Sequence, residues 1–252
     1  MKYLKHILTI VVLLATATLA VAQNRQEVPE RNPQSKFAIK KVDFDHVHDV
    51  ITNPKNAYYY PKLMKAYTSY NDTTMSIEAW RNFYYGYTFQ EDYDPFRESV
   101  YSNKVEELYY KQPHSRAECD TIEHYAELSL NDNMFDMNQM NFYIYVLKEK
   151  KKHARAARWQ YRLDRLIAAI MSSGRGTKEE PWVVITPEHE YNIINFLGFV
   201  ATGHETLDGG IDYIQVQPVA GKSAEGFYFD ISRMMQIAAL KFPDMTDADD
   251  SQ

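Results

Sequence analysis

The densest group of metal-type ligands is Asp43, Asp45, His46, His48 and Asp49, since imidazole nitrogen and carboxylate oxygen are donors that zinc and related ions accept. Phe44, Val47 and Val50/Ile51 recur three to four apart through the same residues, so the spacing predicts a short helix over Asp43–Thr52. On that helix His46 and His48 point roughly 200° apart, and only Asp45/Asp49 or Asp45/His48 can converge. Two ligands from one turn do not make a site, and no H-E-x-x-H is present. The group reads as a solvated face, and neither a metal nor a cofactor is expected.

Cys119 is the only cysteine and stands between Glu118 and Asp120, whose charges oppose thiolate formation. His114 and His124 are each five residues away, a poor helical angle for a base, so Cys119 reads as a buried structural residue. Gly221-Lys222-Ser223 looks like the end of a phosphate-binding loop. Val216, however, occupies the place of that loop's first glycine, and the segment joins two predicted strands, so it reads as a hairpin loop. Gly209-Gly210 carries no dinucleotide fingerprint. No catalytic residue can be named from the sequence.

Two binding surfaces can be. Lys148–Arg165 is a basic tract in an acidic chain, and on a helix Arg155, Arg158, Arg162 and Arg165 share one stripe. That stripe either meets an acidic partner or pairs with neighbouring acidic helices. The second surface lies in Tyr58–Phe96, which concentrates Tyr, Trp and Phe beyond the rest of the chain. Rings at three- and four-residue spacing belong to a core. Adjacent rings on one amphipathic helix cannot all point inward, so some of Tyr58, Tyr59, Tyr84, Tyr85 and Tyr93 are expected at solvent or in a groove.

The elements that carry these residues read as an α+β chain. Helices are expected from Pro61 through Tyr70, from the Ser76 cap through Tyr87, over Val100–Tyr109, from Ser115 to about Ser129, from about Asp136 through Leu147, and through Trp159–Ile170. Short polar turns between them predict stacked antiparallel helical pairs over 43–174, tetratricopeptide-like in general architecture but without a strict repeat. Residues 175–243 read as a small α/β region packed on the helices. Its strands are Trp182–Ile185, an extended Phe199–Leu207, Ile211–Gln217 and Gly226–Ile231, in a mainly antiparallel sheet. Helices follow Thr186-Pro187-Glu188 and Ser232.

Met1–Ala22 reads as a signal peptide: Lys2, Lys5 and His6, an apolar run over Ile7–Ala20, and an A-x-A site at Ala20-Val21-Ala22. The run is shorter than the roughly 20 residues a spanning helix needs. Residues 23–42 form a polar leader and 244–252 an acidic tail. Loss of Lys2 and Lys5 would take the formal charge from −6 to −8, which opposes nucleic-acid or anionic-membrane binding. A soluble periplasmic or envelope protein is expected.

Three blocks carry a resemblance. They are Asp43-Phe44-Asp45 with YYYPKL at Tyr58–Leu63, the run from Asn71-Asp72-Thr73-Thr74 to Tyr84-Tyr85-Gly86-Tyr87, and the WVVIT, GGIDYI and GFYFDI segments. In their order the chain resembles a family of secreted Bacteroidetes proteins described only as a domain of unknown function. The resemblance implies export and brings no catalytic residues. The expected function is a non-catalytic binding or scaffold role towards an envelope protein or glycan through the Tyr-rich helical surface. The alternative is a hydrolase acting on envelope glycan or peptide through carboxylates that spacing does not reveal.

Overall fold

The structure, a computed structural model, describes residues 38–243 other than 110 and 112. The expected signal peptide, most of the leader and the acidic tail lie outside the described residues. All described residues fall within one compact unit.

The helices begin where the sequence supplies caps. Asp43 accepts the His46 amide at 3.0 Å and opens α1 (Phe44–Thr52); Pro61 sits in the first turn of α2 (Tyr60–Thr68). Ser76 accepts the Ala79 amide at 3.1 Å and opens α3 (Ile77–Gly86). The helix expected over Val100–Tyr109 is reduced to a 3-10 turn, Ser102–Lys104, and a single α turn, α4 (Glu106–Tyr109). Val100 is exposed and Val105 buried, which leaves little apolar stripe. The Ser102 hydroxyl meanwhile donates to the Ser99 carbonyl at 2.7 Å, a local bond that competes with helix.

A reciprocal Ser115–Glu118 capping box opens α5 (Arg116–Asp132), and Asp136 caps α6 (Met137–Glu149) through the Gln139 amide at 2.9 Å. α7 (His153–Met171) completes the layer. α5 packs on α6, α6 on α7, α7 on α3, and α3 on both α1 and α2.

The sheet has the order β1-β4-β3-β2, formed by β1 (Trp182–Val183), β2 (Ala201–Leu207), β3 (Ile211–Val216) and β4 (Gly226–Asp230). Its pairs are antiparallel except β1–β4, which is parallel. α8 (Glu188–Phe196) precedes β2 and α9 (Ser232–Lys241) follows β4. Gly209 and Gly210 turn the β2–β3 hairpin at φ 79° and 74°, and a Cβ on Gly210 would come within 2.8 Å of the Ser232 backbone.

Tyr84, Tyr85 and Tyr93 are buried, with exposures of 0 %, 0 % and 1 %, so they leave the set of tyrosines of which some were expected at solvent or in a groove, and of that set Tyr58 and Tyr59 keep exposed surface. The reason lies in α3, whose residues from Ala79 to Gly86 are all buried because other elements surround the helix. Tyrosine tolerates this because its hydroxyl finds a partner. Val184 N–H donates to the Asp230 carbonyl on the β4 side at 3.2 Å, whereas Val183 and Ile185 turn their backbone groups towards the helices. Val183 N–H donates to Ser173 Oγ at 2.8 Å, and its carbonyl accepts from the Tyr85 hydroxyl at 3.2 Å. Ile185 N–H donates to the Tyr84 hydroxyl at 3.3 Å, and its carbonyl accepts from the Tyr93 hydroxyl at 2.6 Å. Side chains thus stand where a fifth strand would be, and the backbone groups of Val183 and Ile185 are paired.

Candidate functional site

A cleft of about 980 Å³ opens between the Arg97–Tyr109 segment, the start of α6 and the Thr186–Asn195 segment. The folding rules of its borders explain its chemistry. Asp136 is there because α6 needs a cap, and Asn103 and Asn133 because amides favour turns, whereas Asn138 and Asn141 belong to α6 and Asn195 to α8. Asn103, Asn133, Asn138, Asn141 and Asn195 all line it. Tyr109, Phe142 and Tyr145 supply ring surface; Phe142 and Tyr145 lie parallel within 4° at a centroid separation of 6.3 Å. Gln139 donates to the Tyr109 hydroxyl. The Tyr145 hydroxyl lies 3.1 Å from His114 Nδ1, and His114 Nε2 donates to the Leu108 carbonyl at 2.8 Å. The rings are therefore held in place from behind.

Arg97 is committed to the frame, donating to the Asp132 and Asp92 carbonyls at 3.1 and 2.6 Å. Burial pushes the Asp136 carboxyl up to about 6; its backbone amide bonds oppose this and the charge of Glu188 adds to it. The carboxylates of Glu98, Glu106, Asp136 and Glu188, with amides and rings in one cleft, can bind a hydroxyl- or amide-rich ligand, and Asp136 is the group there poised to exchange a proton near neutrality.

α8 separates this cleft from a second acidic centre. Glu188 and Glu190 lie roughly 200° apart on the helix, so Glu188 lines the cleft while Glu190 turns to the sheet. Between them His189 is buried, its Nε2–H donating to the Phe135 carbonyl at 2.9 Å and its Nδ1 accepting from the Tyr84 hydroxyl at 2.7 Å. Burial holds it neutral, with its pKa brought down to about 4.

On the sheet side Glu190 is 0 % exposed and Asp212 3 %. Among the described residues no donor group reaches either Glu190 oxygen or Asp212 Oδ1, so only a proton shared between the two acids can bond them, while Asp212 Oδ2 lies 3.0 Å from His204 Nε2. One ligand atom from each of Glu190, His204 and Asp212 lies within 4.8 Å of the others. Burial, and then the charge of Asp212, push the Glu190 carboxyl up to about 9. None of the three was named from the sequence. The signal was phase: Glu190 lies on the Ile193/Ile194 face of α8, and Asp212 alternates in register with buried Ile214 and Val216. A carboxylate in phase with an apolar face is the trace such a pair leaves.

The sequence candidates otherwise disperse. Tyr58 and Tyr59 are half-buried beside α2, apart from the cleft lining. Arg155 donates to Glu123 at 2.6 Å and also reaches Glu127 and the Tyr143 hydroxyl. Arg162 is buried, its Nε donating to Asp72 at 2.7 Å and its guanidinium 3.8 Å from the Tyr67 ring centroid. Arg158 lies exposed over the Tyr70 ring at 4.7 Å. The stripe is thus largely consumed by acids and rings of its own chain, so Arg162 is not available to a partner. Asp43, Asp45, His46, His48 and Asp49 are all exposed on α1. Cys119 is buried, and burial pushes its thiol up. Lys222 donates to the Leu197 carbonyl at 2.5 Å and lies over the Phe199 ring.

In class this is an α+β protein with a polar cleft on one side of α8 and, between α8 and the sheet, a buried acid pair. The chain belongs to the family described as a domain of unknown function, DUF4919, whose model matches residues 45–239. No curated protein and no solved structure matches the chain. Among the described residues no helix is long and apolar enough to cross a membrane.

Proposed function

We propose that the protein is an exported binding protein of the bacterial envelope, of Bacteroidetes origin, and that its cleft receives a polar glycan. The cleft carries this reading. Its volume is in the range of small-ligand sites, and side-chain amides beside partly exposed rings are the groups that bond sugar hydroxyls and cover sugar C–H faces. Export rests on the basic, apolar and A-x-A pattern of Met1–Ala22. With Tyr84, Tyr85 and Tyr93 in the core, the binding surface moves from the tyrosine-rich helices to this cleft. The test is a glycan and peptide array probed with the purified chain. A glycan class is expected to be retained, at least ~10-fold more weakly by Asn141→Ala and Tyr145→Ala. Retention of peptides alone would replace the ligand class, and silence on both would remove the reading.

A second, hydrolytic reading is favoured by Asp136, whose carboxyl titrates near 6 beside Glu188 within the cleft. Its test is product analysis on any glycan retained. Turnover lost in Glu188→Gln with binding intact supports hydrolysis; intact ligand after prolonged incubation rejects it.

A further inference from the structure

We propose that Glu190, His204 and Asp212 form a binding site for a divalent transition-metal ion of the zinc–manganese class, clasping α8 to the β2–β3 hairpin. Three independent elements meet there: Glu190 on α8, His204 on the edge strand β2 and Asp212 on β3. The β2–β3 register sets His204 opposite Ile214 and Thr206 opposite Asp212. His204 and Asp212 are therefore diagonal neighbours on the same face, the face that Glu190 approaches from α8.

The geometry is near what a metal needs. Tetrahedral ligands at ~2.1 Å from an ion are ~3.4 Å from one another. Asp212 Oδ2 and His204 Nε2 already lie 3.0 Å apart, and the Glu190 ligand atom is within 4.8 Å of both. The charge also balances, because two carboxylates and a neutral imidazole match one divalent ion.

What points to a ligand is the state of Glu190. Its side chain is enclosed, no donor group among the described residues reaches either of its oxygens, and it faces Asp212, whose Oδ1 likewise receives none. A buried carboxylate without a donor is costly, and protein folds ordinarily supply one. A cation between the two acids supplies it. The mixed nitrogen and oxygen donor set favours a transition metal over Ca²⁺, which takes six to eight oxygens. His204, with 42 % of its side chain exposed, leaves a path by which the ion enters. The site shares α8 with the cleft but does not depend on what the cleft binds.

The full chain is stripped with chelator and titrated calorimetrically with Zn²⁺ and with Mn²⁺, with Co²⁺ absorption as a second readout. One ion per chain is expected, and Co²⁺ should show ligand-field bands that change in His204→Ala. Affinity should fall at least ~10-fold in both Glu190→Gln and His204→Ala. His204→Ala alters a partly exposed side chain on an edge strand, and circular dichroism checks that it folds. Ca²⁺ should compete weakly. No saturable binding by any of these ions would overturn the site and leave the two acids sharing a proton. Binding that persists unchanged in both variants would also overturn it, by placing the metal elsewhere, His46 and His48 being the next donors to mutate.

Discussion

The helical layer and the sheet treat buried carboxylates in opposite ways. In the helices Asp72 is matched by Arg162, and Glu123 is surrounded by Lys150, Lys152 and Arg155. Burial would raise the Glu123 carboxyl, but hydrogen bonds and charge from Lys150 and Lys152 outweigh it and bring it down to about 2. Where α8 packs on the sheet, Glu190 meets another acid and, among the described residues, no Lys or Arg salt-bridge partner, and its carboxyl is pushed up to about 9. A matched acid holds helices together, whereas an unmatched acid costs stability until something binds it. That contrast separates framework from candidate site more clearly than residue type does, since both regions use the same side chains.

The strongest way to break the comparison is to open its most buried pair. Arg162→Ala leaves Asp72 charged and enclosed, and urea unfolding should show a loss of about 3–5 kcal/mol. A loss below ~1 kcal/mol would mean that Asp72 escapes by taking a proton, as Glu190 does. Glu123→Gln should cost about 2 kcal/mol at neutral pH, the scale of hydrogen bonds to charged groups.

Its pH dependence has a definite sign. The folded pKa of Glu123 is below its unfolded value, so its contribution is fully present above ~4.5 and fades as pH falls through about 2. Wild type and Glu123→Gln should therefore converge in stability between those values. Parallel curves across that window would show that Lys150 and Lys152 do not hold the acid in solution.

Tyr84→Phe keeps the ring but removes the partner of Ile185 N–H and of His189 Nδ1. The expected loss is about 1–2 kcal/mol by thermal or urea unfolding. No change would mean that water replaces the hydroxyl and that the sheet edge is not closed by tyrosine. The smallest effect is expected at the unmatched acid. In chelator, Glu190→Gln should change stability by less than about 1 kcal/mol, because Glu190 is already held neutral at neutral pH and the amide has nearly the shape of the protonated acid. A loss as large as that of Glu123→Gln would erase the distinction between the two regions.

The helices were legible wherever a cap and an apolar stripe coincided, as at Asp43 with Val47, Val50 and Ile51, and at Ser115 with Ile122 and Ala126. The segment before Tyr109 was misread because its apolar residues are spaced for a helix while its serines bond locally. The tyrosines were misplaced for a different reason. Two adjacent rings imply a solvent-facing side only if the helix has one, and α3 is enclosed all round.

What the sequence alone determined is what depends on neighbours a few residues apart: the caps, the helical periods, the alternation of Ile214 and Val216, the Gly209-Gly210 turn and the family blocks. Tertiary structure decided which elements meet. It placed Tyr84 against His189, Arg162 against Asp72, and Glu190 against Asp212, residues 105, 90 and 22 positions apart. Local spacing carries no information about such meetings, because burial and charge matching are set by the element that packs opposite, and that element comes from another part of the chain.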